Sequence, residues 1–168
     1  TRTRHFVEAV ADWPVRVLDT RKTVPGLRLA QKYAVTWGGG ANHRMGLHDA
    51  ILIKENHIAA AGSVEKALHN ALQQITESAF IEIEVENLQQ MQQALEAGAQ
   101  RLLLDNFTPT QLREAVVLNA GRARLEASGN VSLDTIATLA STGIDDISIG
   151  ELTKHIRAVD LSMRFQEV

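Results

Sequence analysis

Six short apolar runs punctuate the chain: VRVLDT, AILIK, FIEIEVE, RLLLD, ARLEAS and DDISIG. Each is β-branched or leucine-rich and of strand length. Between most of them the spacing turns helical. SVEKALHNALQQIT begins with Ser63 as N-cap, with Lys66 standing where a capping box wants a glutamate. NLQQMQQALEAGA sets Leu88, Met91 and Leu95 on one face and stops at Gly98. TPTQLREAVVLNAG has Thr108 as cap, Pro109 at the first helical position and Gly121 as stop. SLDTIATLASTG repeats that plan from Ser132 to Gly143, and ELTKHIRAVD reads as a last helix. The opening TRTRHFVEAVAD is already helical, with Phe6, Val7 and Val10 on one stripe. No methionine precedes it, so the expectation is a domain cut from a longer chain.

Strand and helix in alternation mean parallel β/α units. Their crossovers fit a barrel or an open sheet, and the strands choose between them. In FIEIEVE, Ile81, Ile83 and Val85 share one face while Glu82, Glu84 and Glu86 share the other. A doubly wound sheet buries both faces under helices and wants both apolar. A barrel can turn the polar face toward a central site. Polar residues also gather at the C-terminal ends of the runs, at Asp105, Ser128 and Gly150, where such folds carry their chemistry.

Composition narrows the classes. The 168 residues, 45% of them hydrophobic, suffice for one ordinary domain with a core. A net charge of -3 and 4% aromatics argue against a nucleic-acid partner. The lack of cysteine rules out disulfide and thiolate chemistry and fits a reducing compartment. No run approaches the roughly 18 apolar residues of a membrane span, and no signal segment is seen. The expectation is a cytoplasmic protein without a membrane partner.

Three zones carry candidate chemistry. LDTRKTVPGLR follows the first strand with Arg21 and Lys22, either an anion clamp or a solvated loop. GGGANHR then gathers glycines before His43 and Arg44. It is neither a dinucleotide fingerprint nor a phosphate loop of the GKS or GKT type. Its glycines let the chain turn, or let backbone amides meet an anion. Lys54 ends AILIK as a charge clamp, a Schiff-base lysine or a residue snorkelling to water. In the middle zone Glu84 and Asp105 end neighbouring strands and could share a hard divalent cation. Glu82 and Glu86 compete for that role. Asn56 and Asn106 could orient water or sugar hydroxyls, and His57 is as readily a loop residue with a local hydrogen bond. In the last zone EASGN and SIG bring Ser128, Gly129, Asn130 and Gly150 after late strands, as a phosphate cradle or as plain turns.

Cations first, carboxylates next and a phosphate cradle last suit a dianionic small substrate, a phosphate-bearing partner and a divalent metal. With all three zones in view, LDTRKTVPGLR, GGGANHRMGLHDAILIKENHI, IEIEVEN, LLLDN, EASGN and DDISIG, in this order, resemble the quinolinate phosphoribosyltransferases over essentially the whole chain. The resemblance implies an α/β fold, an incomplete (β/α) barrel of about six to seven mostly parallel strands, fewer than a full barrel's eight. It implies that residues 1–168 form the catalytic barrel domain, without the N-terminal domain that precedes it in the family. It implies conversion of quinolinate and phosphoribosyl pyrophosphate to nicotinate mononucleotide, CO2 and pyrophosphate, with Mg2+. Arg21, His43, Arg44 and Lys54 would hold the carboxylates of quinolinate, and Lys22 would lie near phosphoribosyl pyrophosphate. Glu84 and Asp105 would face its ribose and metal-bound pyrophosphate, with Lys54, Glu84 and Asp105 closest to catalysis. Ser128, Gly129, Asn130 and Gly150 would line the 5′-phosphate pocket. A homodimer is implied, in which the N-terminal domain lends an arginine to the partner's site. Two other classes stay open: a barrel lyase or aldolase using Lys54, and a non-catalytic phosphate-binding or assembly domain.

Overall fold

Six parallel strands line up in one curled sheet in the order β1-β6-β5-β4-β3-β2. They are β1 (Arg16–Leu18), β2 (Ala50–Ile53), β3 (Phe80–Val85), β4 (Arg101–Asp105), β5 (Arg124–Ser128) and β6 (Asp146–Ser148). All six match the apolar runs of the sequence. This computed structural model describes residues 2–74 and 79–166. The sheet does not close. Between β1 and β2 the chain adds only a parallel bridge from Leu18 to Ala41, so the barrel is incomplete, as the resemblance implied.

Eight helices connect and cover the strands among the described residues: α1 (Arg2–Ala9), α2 (Arg28–Trp37), α3 (Glu55–Ala61), α4 (Val64–Leu72), α5 (Leu88–Glu96), α6 (Pro109–Asn119), α7 (Ile136–Ala140) and α8 (Glu151–Lys154). The caps read from sequence form. Ser63 Oγ accepts from the Lys66 amide at 3.1 Å, and Thr108 caps α6 with Pro109 in its first turn. α6 stops one residue early, because Ala120 takes the left-handed conformation at φ 47°. The helix expected from Ser132 shrinks to five residues, with Ser132 and Thr135 spent on a local turn. The expected last helix ends at Lys154, and the end of the one expected over 63–76 falls on residues outside those described. α2 and α3 were not expected at all.

Alternation sorts the strands as a barrel requires. The outer face carries Ile53, Ile83, Val85, Leu102, Leu104, Leu125 and Ile147, all buried under the helices. Each such side chain contributes about 1.5–3 kcal/mol. The inner face is charged. Register aligns Arg16 with Asp146, Asp146 with Glu126, Glu126 with Leu103, and Leu103 with Glu84. Barrels ordinarily fill this space with branched apolar residues. Here Asp146, fully buried, accepts from Arg16 Nε at 2.8 Å and from Arg124 at 2.9 Å, with Arg101 at 3.7 Å. Burial alone would push the Asp146 carboxyl up, but Arg124 and Arg16 outweigh it and hold it below the usual range. This cluster ties β1 to β4, β5 and β6 at the N-terminal end and leaves the other end open.

Of the glycines in GGGANHR, Gly39 turns the chain at φ +87°, and its two neighbours serve packing. A Cβ on Gly38 would stand 2.5 Å from Thr3 Cβ, and one on Gly40 would stand 2.9 Å from Thr3 and from Val35. They let the end of α2 press against α1, and they are not lining residues of the cavity at the barrel mouth. His43 and Arg44, just beyond, do reach it.

Candidate active site

A cavity of about 800 Å³ opens at the C-terminal ends of the strands. Arg21, Lys22, His43, Arg44, Lys54, Glu84, Asp105, Ser128, Gly129, Asn130 and Gly150 all line it. Residues from six separate strand ends thus meet in one place, because parallel strands deliver all their C-termini to one side. Asn106 lines it too and donates to Asp105 at 2.8 Å. Asn56 instead donates to Glu55, and His57 sits in α3, where its Nδ1 accepts from the Lys54 amide at 2.9 Å. Of Glu82, Glu84 and Glu86, only Glu84 lines the cavity; Glu82 is buried and Glu86, just past β3, is exposed.

The cations arrive on two loops. Arg21 and Lys22 follow β1. Arg44 extends from the segment anchored by Asp19, whose carboxylate accepts from the His43 amide at 2.9 Å and from Lys32. Lys32 Nζ also donates to the His43 carbonyl at 2.9 Å, and Asn42 Nδ2 donates to Asp19. Both members of the Asp19–Lys32 pair are fully buried, so the pair fixes the loop that presents His43 and Arg44. Burial, and then the nearby charge of Arg21, weaken the basicity of Arg44. Arg21 Nε is itself buried without a partner among the described residues. Two guanidiniums crowded at a cavity wall call for an anion. Lys54, by contrast, forms an ion pair with Glu84.

The late strands supply a cradle of loops. Gly129 has φ +106°, and Asn130 and Asn106 also have positive φ, at 47° and 56°. A Cβ on Gly129 would lie 2.2 Å from Asn106 Oδ1, so only glycine fits there. Gly150 lies under Lys22, whose Cδ would be 3.3 Å from an added Cβ. The helices that follow, α7 and α8, are too short to add much dipole, so the cradle is one of backbone and side chains.

Beneath the mouth lies a buried triad, of which sequence reasoning left out Glu126. His43 Nε2 stands 2.7 Å from Glu82 and 3.4 Å from Glu126. Burial disfavours a charged ring, yet Glu126 and Glu82 outweigh it and raise the His43 pKa to about 9. At neutral pH the cluster therefore holds one proton more than a neutral imidazole beside two carboxylates, but the Arg44 amide keeps that proton off Nδ1: it donates there at 2.7 Å and needs that nitrogen's lone pair. The three residues are also close enough to suggest a metal site, with ligand atoms within 4.8 Å of one another. That same amide argues against it. A metal on Nε2 would require an imidazolate, whereas ligating histidines donate their other N–H. Glu126 was legible as the polar position two residues before Ser128; Lys32 was hidden in a helix not expected.

An open parallel barrel with cations, carboxylates and glycine-bearing loops gathered at one mouth defines an α/β-barrel domain with a charged cavity at the C-terminal ends of its strands. The model for the quinolinate phosphoribosyl transferase C-terminal domain matches residues 1–164. The chain belongs to that family. A probable nicotinate-nucleotide pyrophosphorylase (carboxylating) of Bacillus subtilis is 42% identical over 163 residues, covering 97% of this chain and 56% of that protein. A quinolinate phosphoribosyltransferase (decarboxylating) of Nicotiana tabacum is 42% identical over 95% of this chain and 51% of its own length. The crystal structure of NadC from Streptococcus pyogenes superposes with a TM-score of 0.91 at 45% identity, over 97% of this chain and 57% of that one. The chain thus spans little more than half the length of these relatives.

Proposed function

We propose that the cavity binds quinolinate and phosphoribosyl pyrophosphate, and that the full-length protein joins them with loss of CO2 to give nicotinate mononucleotide and pyrophosphate. The observation that carries this is the crowding of Arg21 and Arg44 in the same cavity as a glycine-bearing cradle that suits a phosphate. Arg21, His43, Arg44 and Lys54 hold the two carboxylates and aim the ring nitrogen at the ribose C1. Lys22, folded over Gly150, neutralises charge on the leaving pyrophosphate. Glu84 and Asp105 stabilise the cationic ribosyl centre. Ser128, Gly129, Asn130 and Gly150 take the 5′-phosphate. Such work is positioning and charge preorganisation.

Glu84 and Asp105 also fit Mg2+, which takes one or two carboxylates and completes its shell with water and substrate phosphates. When bound, Mg2+ neutralises the pyrophosphate oxygens. The ion pair of Lys54 with Glu84 favours a role as a charge clamp over a Schiff-base lysine.

The barrel needs a cover. α2 exposes Leu29, Tyr33 and Trp37 along one stripe, a surface suited to an N-terminal domain or a second subunit of a homodimer. The test uses the full-length protein with Lys54→Ala. Formation of nicotinate mononucleotide from quinolinate falls by about 10²-fold or more, while stability shifts by no more than about 1 kcal/mol, because the pair is partly exposed. Parallel losses of activity and thermal stability would sink the assignment.

A further inference from the structure

We propose that Glu126 is a carboxylic acid at the floor of the cavity and donates the proton that replaces the departing carboxylate of the substrate. The inference rests on the proposed reaction and deepens it. Glu126 projects inward from β5, is 1% exposed, and lines the cavity. Among the described residues, no donor lies within good hydrogen-bond geometry of either carboxyl oxygen. An ionised carboxylate left so would be very costly.

Its polar neighbours offer it little: His43 stands 3.4 Å away, and the Ser148 hydroxyl can accept a proton as readily as donate one. His43 has one ring hydrogen to give, on Nε2, and the shorter contact takes it to Glu82 at 2.7 Å rather than to Glu126 at 3.4 Å. Its Nδ1 cannot carry a second hydrogen, because the Arg44 amide already points there at 2.7 Å. The extra proton that two carboxylates and an imidazole share in this space therefore rests on Glu126. From β6, Ser148 and Asp146 face the same residue. Arg124 is engaged by Asp146, and Arg101 lies by Glu82 and Asp146. Leu103 is its partner in register on β4. Burial is the main force that pushes the Glu126 carboxyl up, followed in the same direction by the charge of Glu82, with His43 and Ser148 opposing.

The reaction needs such a group. When the bond from C2 of the pyridinium to its carboxylate breaks, the electron pair stays on C2 beside the quaternised nitrogen and CO2 leaves. That pair must take a proton to give the nicotinate ring. Glu126 supplies it and becomes a carboxylate, and water restores the proton once product has left.

The test is single-turnover kinetics of the full-length protein with quinolinate labelled in the C2 carboxylate and with phosphoribosyl pyrophosphate. Glutamine mimics a neutral glutamic acid in shape and charge but offers no transferable proton. In Glu126→Gln, pyrophosphate release keeps the wild-type rate, while CO2 release and nicotinate mononucleotide formation slow by about 10²-fold or more. Glu126→Asp recovers part of the loss. The wild-type rate of CO2 release falls as pH rises through the Glu126 pKa, and Glu126→Gln lacks this limb. Wild-type CO2 release in Glu126→Gln would overturn the role of Glu126 and leave the transferase reading standing. A wild-type protein that makes no nicotinate mononucleotide would overturn both. Should Glu126→Gln not fold, infrared spectroscopy of the wild-type protein at pH 7 decides. A protonated-carboxyl stretch that shifts in Glu126→Asp supports the proposal, and its absence refutes it.

Discussion

Replacing Lys32 with methionine keeps the length of the side chain and removes its charge from a site where both Lys32 and Asp19 are fully buried. The change leaves the Asp19 carboxylate without its cation. Breaking a buried ion pair from one side costs about 3–5 kcal/mol. The lower end applies here, because Asp19 keeps the Asn42 side chain and the His43 amide. Burial already pushes its carboxyl up, so it can relieve the charge by taking a proton. A loss of about 3 kcal/mol lowers the melting temperature by roughly 6–12 °C in a domain of this size. The His43 carbonyl also loses its donor at 2.9 Å, so the loop carrying His43 and Arg44 loosens and the KM for quinolinate rises. Calorimetry of Lys32→Met, Asp19→Asn and the double variant checks this. The double variant is more stable than the sum of its parts predicts, with a coupling of about 1–3 kcal/mol. A melting temperature for Lys32→Met within about 2 °C of wild type, below what even 1 kcal/mol produces, or strictly additive losses, would refute the argument.

Asp146→Asn, at the closed end of the barrel, costs about 2 kcal/mol in thermal unfolding near neutral pH, because its arginines are partly exposed and can rehydrate. The sign with pH follows from its lowered pKa: the stabilisation is full above the unfolded carboxylate value of about 3.9 and is lost as pH falls through the lower native value. Wild type and variant therefore converge in acid, which urea titrations across pH will show. Gly129→Ala forces an alanine to φ +106° and a methyl group into Asn106, costing about 1–3 kcal/mol and raising the KM for phosphoribosyl pyrophosphate more than that for quinolinate. Equal effects on both constants would place Gly129 outside the phosphate cradle.

Much of this was legible in the chain because period-two alternation is a local property. FIEIEVE states which side of β3 faces helices, and ARLEAS states the same for β5. Caps at Ser63 and Thr108 were equally readable, since a cap and its amide lie three residues apart. α2 misled for a physical reason. Its Leu29, Tyr33 and Trp37 stripe is exposed, while the buried side holds the charged Lys32 along with Val35, so its large apolar residues do not mark the face it buries. A helix whose apolar face awaits another surface cannot be oriented from its own pattern.

The sequence by itself determined the strands, their polar and apolar faces, and the residue types available at each strand end. Only the tertiary structure decided which of Glu82, Glu84 and Glu86 meets the cavity, that Gly38 and Gly40 serve packing against α1, and that His43, Glu82 and Glu126 share one buried space. The reason is range. Alternation fixes the side of a strand within a few residues, whereas the depth of a side chain in a barrel depends on register and curvature among strands far apart in the chain.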